Sequence, residues 1–114
     1  MPYLKIQTNV DMDEARRQAL LPRASQLVAE QLGKPERYVM VRLDPVQPML
    51  FAGSDAPTVY LELKSIGLSG DRTASLSAAL CQLMQEELDV APERVYIEFA
   101  DAPRNMWGWN SGTF

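Results

Sequence analysis

The chain has 114 residues, of which 46% are hydrophobic, and its eleven basic and fifteen acidic residues give a net charge of −4. This length suits one compact domain over residues 1–114, and an acidic chain without a stripe of Lys and Arg repels the phosphates of a nucleic acid. The absence of histidine and the single cysteine exclude histidine triads, histidine metal sites, CxxC pairs and disulfides within one chain.

The first residues predict a strand followed by a helix. The alternating run PYLKIQT favours a strand over Pro2–Thr8. Apolar residues then recur at helical spacing, with Asp11 or Asp13 as the N-terminal cap and Gly33 as the end of the helix. Because Pro22 lies inside this pattern and has no amide hydrogen, we expect a kink there. The buried face of this helix would carry Leu20, Ala24, Leu27, Val28 and Leu32.

The same order of elements then occurs a second time. A strand with the sequence YVMVRL over Tyr38–Leu43 closes the first unit, and a strand over Pro57–Ile66 opens the second. A helix that begins at Ser69 or Asp71 and ends at Leu88 follows, and then a strand over residues 95–99. The tripeptide PER precedes the last strand of each unit, at residues 35–37 and 92–94. We therefore interpret residues 1–56 and 57–101 as repeats of one strand–helix–strand unit.

Two such units predict an α+β fold with a four-stranded mixed sheet and both helices on one face, since each crossover is right-handed. Val39 and Val41 share one face of their strand while Tyr38 and Met40 share the other, so neither face is clearly polar. Helices cover only one face. We expect self-association to cover the other.

Residues 102–114 form a tail that contains Trp107, Trp109 and Phe114. Two indoles and a terminal phenyl ring predict a docked segment rather than a frayed end. These side chains either fill the subunit's own core or line a pocket or an interface, and the sequence leaves both readings open.

Seven short strings carry a resemblance that runs from end to end: MP at 1–2, TNV at 8–10, GKP at 33–35, FAGS at 51–54, SIG at 65–67, RVYI at 94–97 and GWNSGTF at 108–114. In this order and spacing the chain resembles the macrophage migration inhibitory factor and D-dopachrome tautomerase family, and within it the migration inhibitory factor branch. The resemblance implies a homotrimer whose pockets lie between neighbouring subunits. It also implies keto–enol tautomerisation of phenylpyruvate-like 2-oxo acids or dopachrome-like compounds.

The resemblance implies a site centred on Pro2, which becomes the amino terminus once Met1 is removed. Lys34 matches the family's cation for a substrate carboxylate, and Ile66, next to Ser65, matches its backbone amide donor. The pocket tyrosine corresponds to Tyr96. The aromatic wall corresponds to Tyr38, Trp109 and Phe114.

A secondary amine suits this chemistry because the α-amino group ordinarily titrates at ~7.7 to 8.0, closest to neutrality of the groups that the chain offers. Apolar surroundings and the charge of Lys34 would lower the pKa of Pro2, which leaves a neutral base at pH 7. With Met1 attached, the Pro2 nitrogen is an amide without basicity.

Three departures from the family pattern stand out. Glu98 replaces an asparagine two positions after the pocket tyrosine, and Trp107 replaces a smaller aliphatic residue at the pocket rim. Thr58 and Leu61 replace the two cysteines of the family's CxxC motif, which removes the basis for a thiol oxidoreductase. Dehalogenation or hydration of unsaturated acids, known in the wider superfamily, would call for arginines near Pro2, and the sequence identifies none.

The alternative to an enzyme is a trimeric, cytokine-like signalling or binding protein whose pocket is a relic, with a protein receptor that no motif reveals. The expected partners are otherwise further copies of the chain and a small anionic aromatic keto or enol acid.

No phosphate loop or cluster of metal ligands occurs, so we expect no cofactor and no metal. The start of the chain lacks a signal peptide and no apolar run reaches ~20 residues, which predicts a cytoplasmic protein without a membrane span. Release by a route that needs no signal peptide stays compatible with the sequence.

Overall fold

The computed structural model describes residues 1–114 and contains the two predicted units. The first consists of β1 (Tyr3–Thr8), α1 (Glu14–Leu32) and β2 (Met40–Leu43), and the second of β3 (Val59–Ile66), α2 (Thr73–Leu88) and β4 (Val95–Ala102). A short hairpin of β5 (Gly108–Trp109) and β6 (Gly112–Thr113) ends the chain. Neither helix has the length and apolar content that crossing a membrane requires.

The four main strands form one mixed sheet in the order β2-β1-β3-β4. β1 runs parallel to β2 and antiparallel to β3, and β3 runs parallel to β4. Each parallel pair is the product of one strand–helix–strand unit, and the antiparallel pair of β1 and β3 joins the two units. The α+β fold with a four-stranded mixed sheet, predicted from the repeat, is therefore confirmed.

Local chemistry sets the ends of both helices. The carboxylate of Asp13 accepts a hydrogen bond from the backbone of Arg16, which identifies Asp13 as the cap of α1. α1 then continues through Pro22 to Leu32, and Gly33 ends it in the left-handed conformation at φ 62°. α2 ends in the same way at Asp89, with φ 55°.

The start of α2 differs from the prediction. A 3-10 turn over Gly70–Arg72 precedes the helix, which begins at Thr73 without a side-chain cap. Ser69 lies before this turn, and its hydroxyl bonds to the carboxylate of Asp71 rather than to a helix amide. The two predicted cap residues thus bond to each other.

The boundaries of two strands also differ from the prediction. β2 begins at Met40 because the first PER motif leads into a 3-10 turn over Glu36–Tyr38. β4 extends to Ala102 because its pairing with β3 continues as far as Ile66.

The core lies between the helices and one face of the sheet. Leu4 and Ile6 of β1 are opposite Leu63 and Leu61 of β3, and all four side chains are fully buried. The inner faces of α1 and α2 complete one cluster of eighteen buried residues drawn from both units. Glu87, the polar exception on the inner face of α2, forms an ion pair with Arg23 of α1 and so ties the two helices together.

The face of the sheet that the helices leave uncovered is more polar than the sequence suggested. Lys5 pairs with Glu62 at 3.5 Å, and the hydroxyl of Tyr60 donates to Glu98 at 3.0 Å and to Glu62 at 3.2 Å. Desolvation and these carboxylate partners raise the pKa of Tyr60 to about 12. The sequence indicated that neither face is clearly polar, but the strand register places charged residues side by side on this one. Because this face carries charged and hydrogen-bonded side chains, its exposure to solvent does not by itself require self-association.

Candidate active site

A cleft of about 430 Å³ opens at the first residues of β1. Its size falls within the range of small-molecule sites, and most of its lining is apolar or aromatic. Five of the residues predicted from the sequence line this cleft together: Pro2, Tyr38, Trp107, Trp109 and Phe114.

Pro2 is held rigidly at the floor of the cleft. Its ring is buried, and its carbonyl accepts a hydrogen bond of 3.0 Å from the backbone N–H of Met40 in β2. Met1 is attached to it and is half-buried. Burial and, to a lesser degree, the charge of Lys34 lower the pKa of the Met1 amine below its ordinary value of 8.0. The surroundings thus favour a neutral amine at this end of the chain.

Lys34, Ile66 and Ser65 lie together beside the cleft, although none of them forms its wall. The turn after α1 fixes Lys34, because its backbone N–H donates to the carbonyl of Ala29 at 3.0 Å. Its Nζ donates to the carbonyl of Ile66 at 3.2 Å, and the hydroxyl of the fully buried Ser65 donates to the same carbonyl at 3.4 Å. An ammonium group has three hydrogens, so Lys34 keeps two for a further acceptor.

Three aromatic rings form one side of the cleft. Tyr38 meets Trp109 edge-on at a centroid distance of 5.5 Å and Phe114 at 5.7 Å, while Trp109 and Phe114 stack at 5.3 Å. The hairpin of β5 and β6 presents the last two rings, and its turn residues Asn110 and Ser111 both have positive φ, as a tight hairpin turn requires. The tail therefore lines a pocket and does not plug the core, which decides between the two readings of the sequence.

Tyr96 and Glu98 lie outside the Pro2 cleft. Tyr96 in β4 is paired with Tyr60 in β3, which is paired with Gln7 in β1. Gln7 lies five residues after Pro2 along the chain. At ~3.3 Å per residue this is about 17 Å along the sheet, with two strand spacings of ~4.8 Å to add. Tyr96 is 65% exposed and packs on Phe51 at 4.5 Å. Within one chain, neither Tyr96 nor Glu98 reaches Pro2.

Two basic residues of the cleft, Arg37 and Lys64, are absent from the site predicted from the sequence. Arg37 lines the cleft together with Pro2, and its guanidinium lies 4.7 Å from the centroid of the Tyr38 ring. The sequence identified no arginine near Pro2, whereas the structure places Arg37 in the same cleft. The position of Arg37 immediately before the aromatic Tyr38, in the turn that follows Lys34, was the available signal.

The basic cleft differs in charge from the other large depression on the surface. That depression, of about 510 Å³, is lined by Asp11, Asp55 and six uncharged residues and has no basic side chain. An anionic ligand is repelled there and attracted to the Pro2 cleft.

Comparisons with known proteins find similar sequences along the whole chain. A sequence profile described as "Macrophage migration inhibitory factor (MIF)" matches residues 1–114. The macrophage migration inhibitory factor homolog of Brugia malayi is 39% identical over all of this chain and 99% of its own, and the macrophage migration inhibitory factor of Meriones unguiculatus is 36% identical over the same shares.

Solved structures are similar along the whole fold. The crystal structure of a macrophage migration inhibitory factor homologue from Prochlorococcus marinus has a TM-score of 0.91 and 42% identity, and the match covers 98% of each chain. The macrophage migration inhibitory factor of Toxoplasma gondii also has a TM-score of 0.91, with 32% identity over 98% of this chain and 99% of the other.

Proposed function

The chain belongs to the macrophage migration inhibitory factor family, and from this premise we propose that it is a keto–enol tautomerase that uses Pro2 as its base once Met1 is removed. The substrates are phenylpyruvate-like 2-oxo acids and dopachrome-like compounds. In the enol-to-keto direction the Pro2 nitrogen takes the proton from the enol oxygen and returns one to the neighbouring carbon. The reverse direction exchanges the two positions, and no cofactor takes part.

The single observation that carries this proposal is the position of Pro2 in a mostly apolar cleft with Lys34 beside it. Burial and the charge of Lys34 already lower the pKa of the Met1 amine. Removal of Met1 leaves a secondary amine on Pro2, in the same mostly apolar cleft and near the same cation, and both surroundings disfavour its charged form. A neutral amine at pH 7 is the form that accepts a proton. Pro2 lines the cleft, and the bond from Met40 to its carbonyl fixes the backbone that follows the nitrogen.

The surrounding side chains support the binding of an aromatic acid. The two free hydrogens of Lys34 are available to a carboxylate. The resemblance assigns the backbone amide of Ile66, the residue whose carbonyl binds Lys34, as a further donor. The rings of Tyr38, Trp109 and Phe114 form an apolar wall on which an aromatic substrate packs. Trp107 narrows the rim.

A homotrimer accounts for the one pocket residue that a single chain leaves far from Pro2. Tyr96 projects from β4 with 65% of its surface exposed, in an apolar group with Leu50 and Phe51. If each pocket lies between subunits, a neighbouring copy brings Tyr96 and Glu98 to the Pro2 cleft of the next. The carboxylate of Glu98 then stands near the pocket mouth.

A second candidate function is cytokine-like signalling, because the matched relatives carry the name of a factor that inhibits macrophage migration. In that case the pocket is a relic and a protein receptor is the partner. The two functions differ in one measurable respect, which is turnover of a small keto acid.

The decisive experiment combines intact mass with a phenylpyruvate tautomerisation assay on one preparation. Protein without Met1 should convert phenylpyruvate, whereas protein that retains Met1 should be nearly inactive because its Pro2 nitrogen is an amide. A Met1-free preparation that does not turn over phenylpyruvate would leave the signalling candidate in place of the enzyme.

A further inference from the structure

The repeated PER motif supplies two equivalent arginines, Arg37 and Arg94, that the fold uses differently. Each follows the same two residues, lies before the last strand of its unit, and stacks its guanidinium on an aromatic ring. Arg37 lies 4.7 Å from the ring of Tyr38, and Arg94 lies 5.1 Å from that of Phe51. The pair therefore allows a comparison within one molecule.

Most of the donors of Arg94 are occupied by the chain itself. Its guanidinium donates to four backbone carbonyls between residues 51 and 57, at 2.7 to 3.2 Å, and so holds the segment that joins the two units. A guanidinium has five N–H donors in a fixed fork, and here four bonds use it. This arginine has a structural role.

Arg37 has none of these bonds. No carbonyl or carboxylate of the chain accepts from its guanidinium, and it forms no ion pair. The stack on Tyr38 holds it in place, and Tyr38 in turn is packed against Trp109 and Phe114. A positioned fork with free donors on the wall of an apolar cleft is suited to binding an anionic group from a ligand.

The charge balance of the cleft supports a ligand with more than one negative charge. Arg37 and Lys64 line the cleft and Lys34 lies beside it, and within one chain none of the residues that line it is acidic. In the proposed trimer, Glu98 of a neighbouring copy adds one negative charge at the mouth, which is fewer than these three positive charges. Lys64 is partly neutralised by Glu62 at 3.9 Å. A substrate with one carboxylate, held at Lys34, leaves the charge of Arg37 unmatched.

We propose that this cleft selects dianionic aromatic acids, with one carboxylate held at Lys34 and a second anionic group bound by the fork of Arg37. The proposal rests on the function proposed above for the same cleft and narrows its substrate class. Arg37 is a specificity-determining residue in this scheme, and it takes no part in proton transfer. A chain with a net charge of −4 repels a dianion more than a monoanion at long range, so a preference for the dianion must come from the cleft.

Binding can be measured without turnover because Trp107 and Trp109 are the only tryptophans and both line the cleft. Met1-free protein in its native assembly is titrated with phenylacetate and with para-carboxyphenylacetate, with tryptophan fluorescence as the readout. A partly exposed ion pair predicts that the dianion binds about fivefold more tightly. Arg37→Gln should bring this ratio to about one, Arg37→Lys should keep part of it, and added salt should reduce it.

Arg16→Gln is the matched control, since it removes the same charge from the exposed start of α1, roughly 27 Å from the Lys34 end of the helix at 1.5 Å per residue. It should leave the ratio as in the unmodified protein. Equal or weaker binding of the dianion by the unmodified protein would overturn the proposal, as would the same ratio after Arg37→Gln. Failure to turn over phenylpyruvate would instead count against the tautomerase function, and the two failures are separate readings.

Discussion

The variant Lys34→Ala tests two effects of the Lys34 charge, one on substrate binding and one on the pKa of the terminal amine. The half-buried Lys34 ammonium lies near the terminal amine and has two hydrogens free for a substrate carboxylate. Its removal should therefore raise KM for phenylpyruvate. It should also raise the pKa of the catalytic amine, because the charge of Lys34 lowers that pKa.

The burial of Lys34 sets the size of the KM effect. A hydrogen bond to a charged group contributes about 1.5 to 3 kcal/mol when buried, and an exposed ion pair about 0.2 to 1 kcal/mol. Lys34 is between these cases, so we expect a loss of about 1 to 2 kcal/mol, which is a rise in KM of roughly 5- to 30-fold. Lys34→Arg should recover part of it.

The assay is a pH profile of kcat/KM for Met1-free protein and for both variants. The neutral amine is the form that accepts a proton, so activity should rise with pH through the pKa of Pro2, which we expect Lys34 to lower as it lowers that of the Met1 amine. In Lys34→Ala this limb should move to higher pH. An alanine variant with the KM and the pH limb of the unmodified protein would refute the reasoning and make Lys34 an ordinary cation at a helix end.

Three further predictions concern the amine, the assembly and the core. Retained Met1, checked by intact mass, should abolish turnover, whereas Pro2→Gly should keep part of it because a primary amine remains; equal rates with and without Met1 would exclude Pro2 as the base. Sedimentation at micromolar concentration should give three times the mass of the 12.8 kDa chain, and a stable monomer would contradict the trimer. Leu80→Ala, at a side chain that is 1% exposed, should lower the free energy of unfolding by about 2 to 5 kcal/mol in urea titrations, against about 0.5 kcal/mol or less for the exposed Gln85→Ala on the same helix.

The parts of the fold that depend on local periodicity could be predicted from the sequence. Both helices end where the apolar pattern ends, at Leu32 and Leu88, because the period of buried residues is a property of the chain alone. The polarity of the uncovered sheet face could not be predicted in this way. It depends on Lys5 and Glu62 being opposite each other, and that register is set only when the strands pair.

The residues of the candidate site also fall into two groups, those that the sequence could predict and those that depend on the folded structure. The resemblance supplied Pro2 and Lys34, and the structure brings them close enough for the charge of Lys34 to act at the amino terminus. Arg37 was missed because its direction depends on the 3-10 turn and on the stack with Tyr38, neither of which a one-dimensional pattern contains. The distance between Tyr96 and Pro2 likewise follows from the sheet register.

The doubling of the unit has a consequence for how many reactive sites the molecule can have. Both units open on a proline, Pro2 in the first and Pro57 in the second, but a polypeptide has a single amino terminus. At Pro57 the chain continues through the nitrogen as an amide, and its carbonyl is bound by Arg94 at 3.2 Å. Linking two units into one chain therefore halves the number of free amines per unit. The second unit uses its copy of the arginine, Arg94, to hold the segment that joins the two units, whereas the guanidinium of Arg37 in the first unit has no acceptor within the chain.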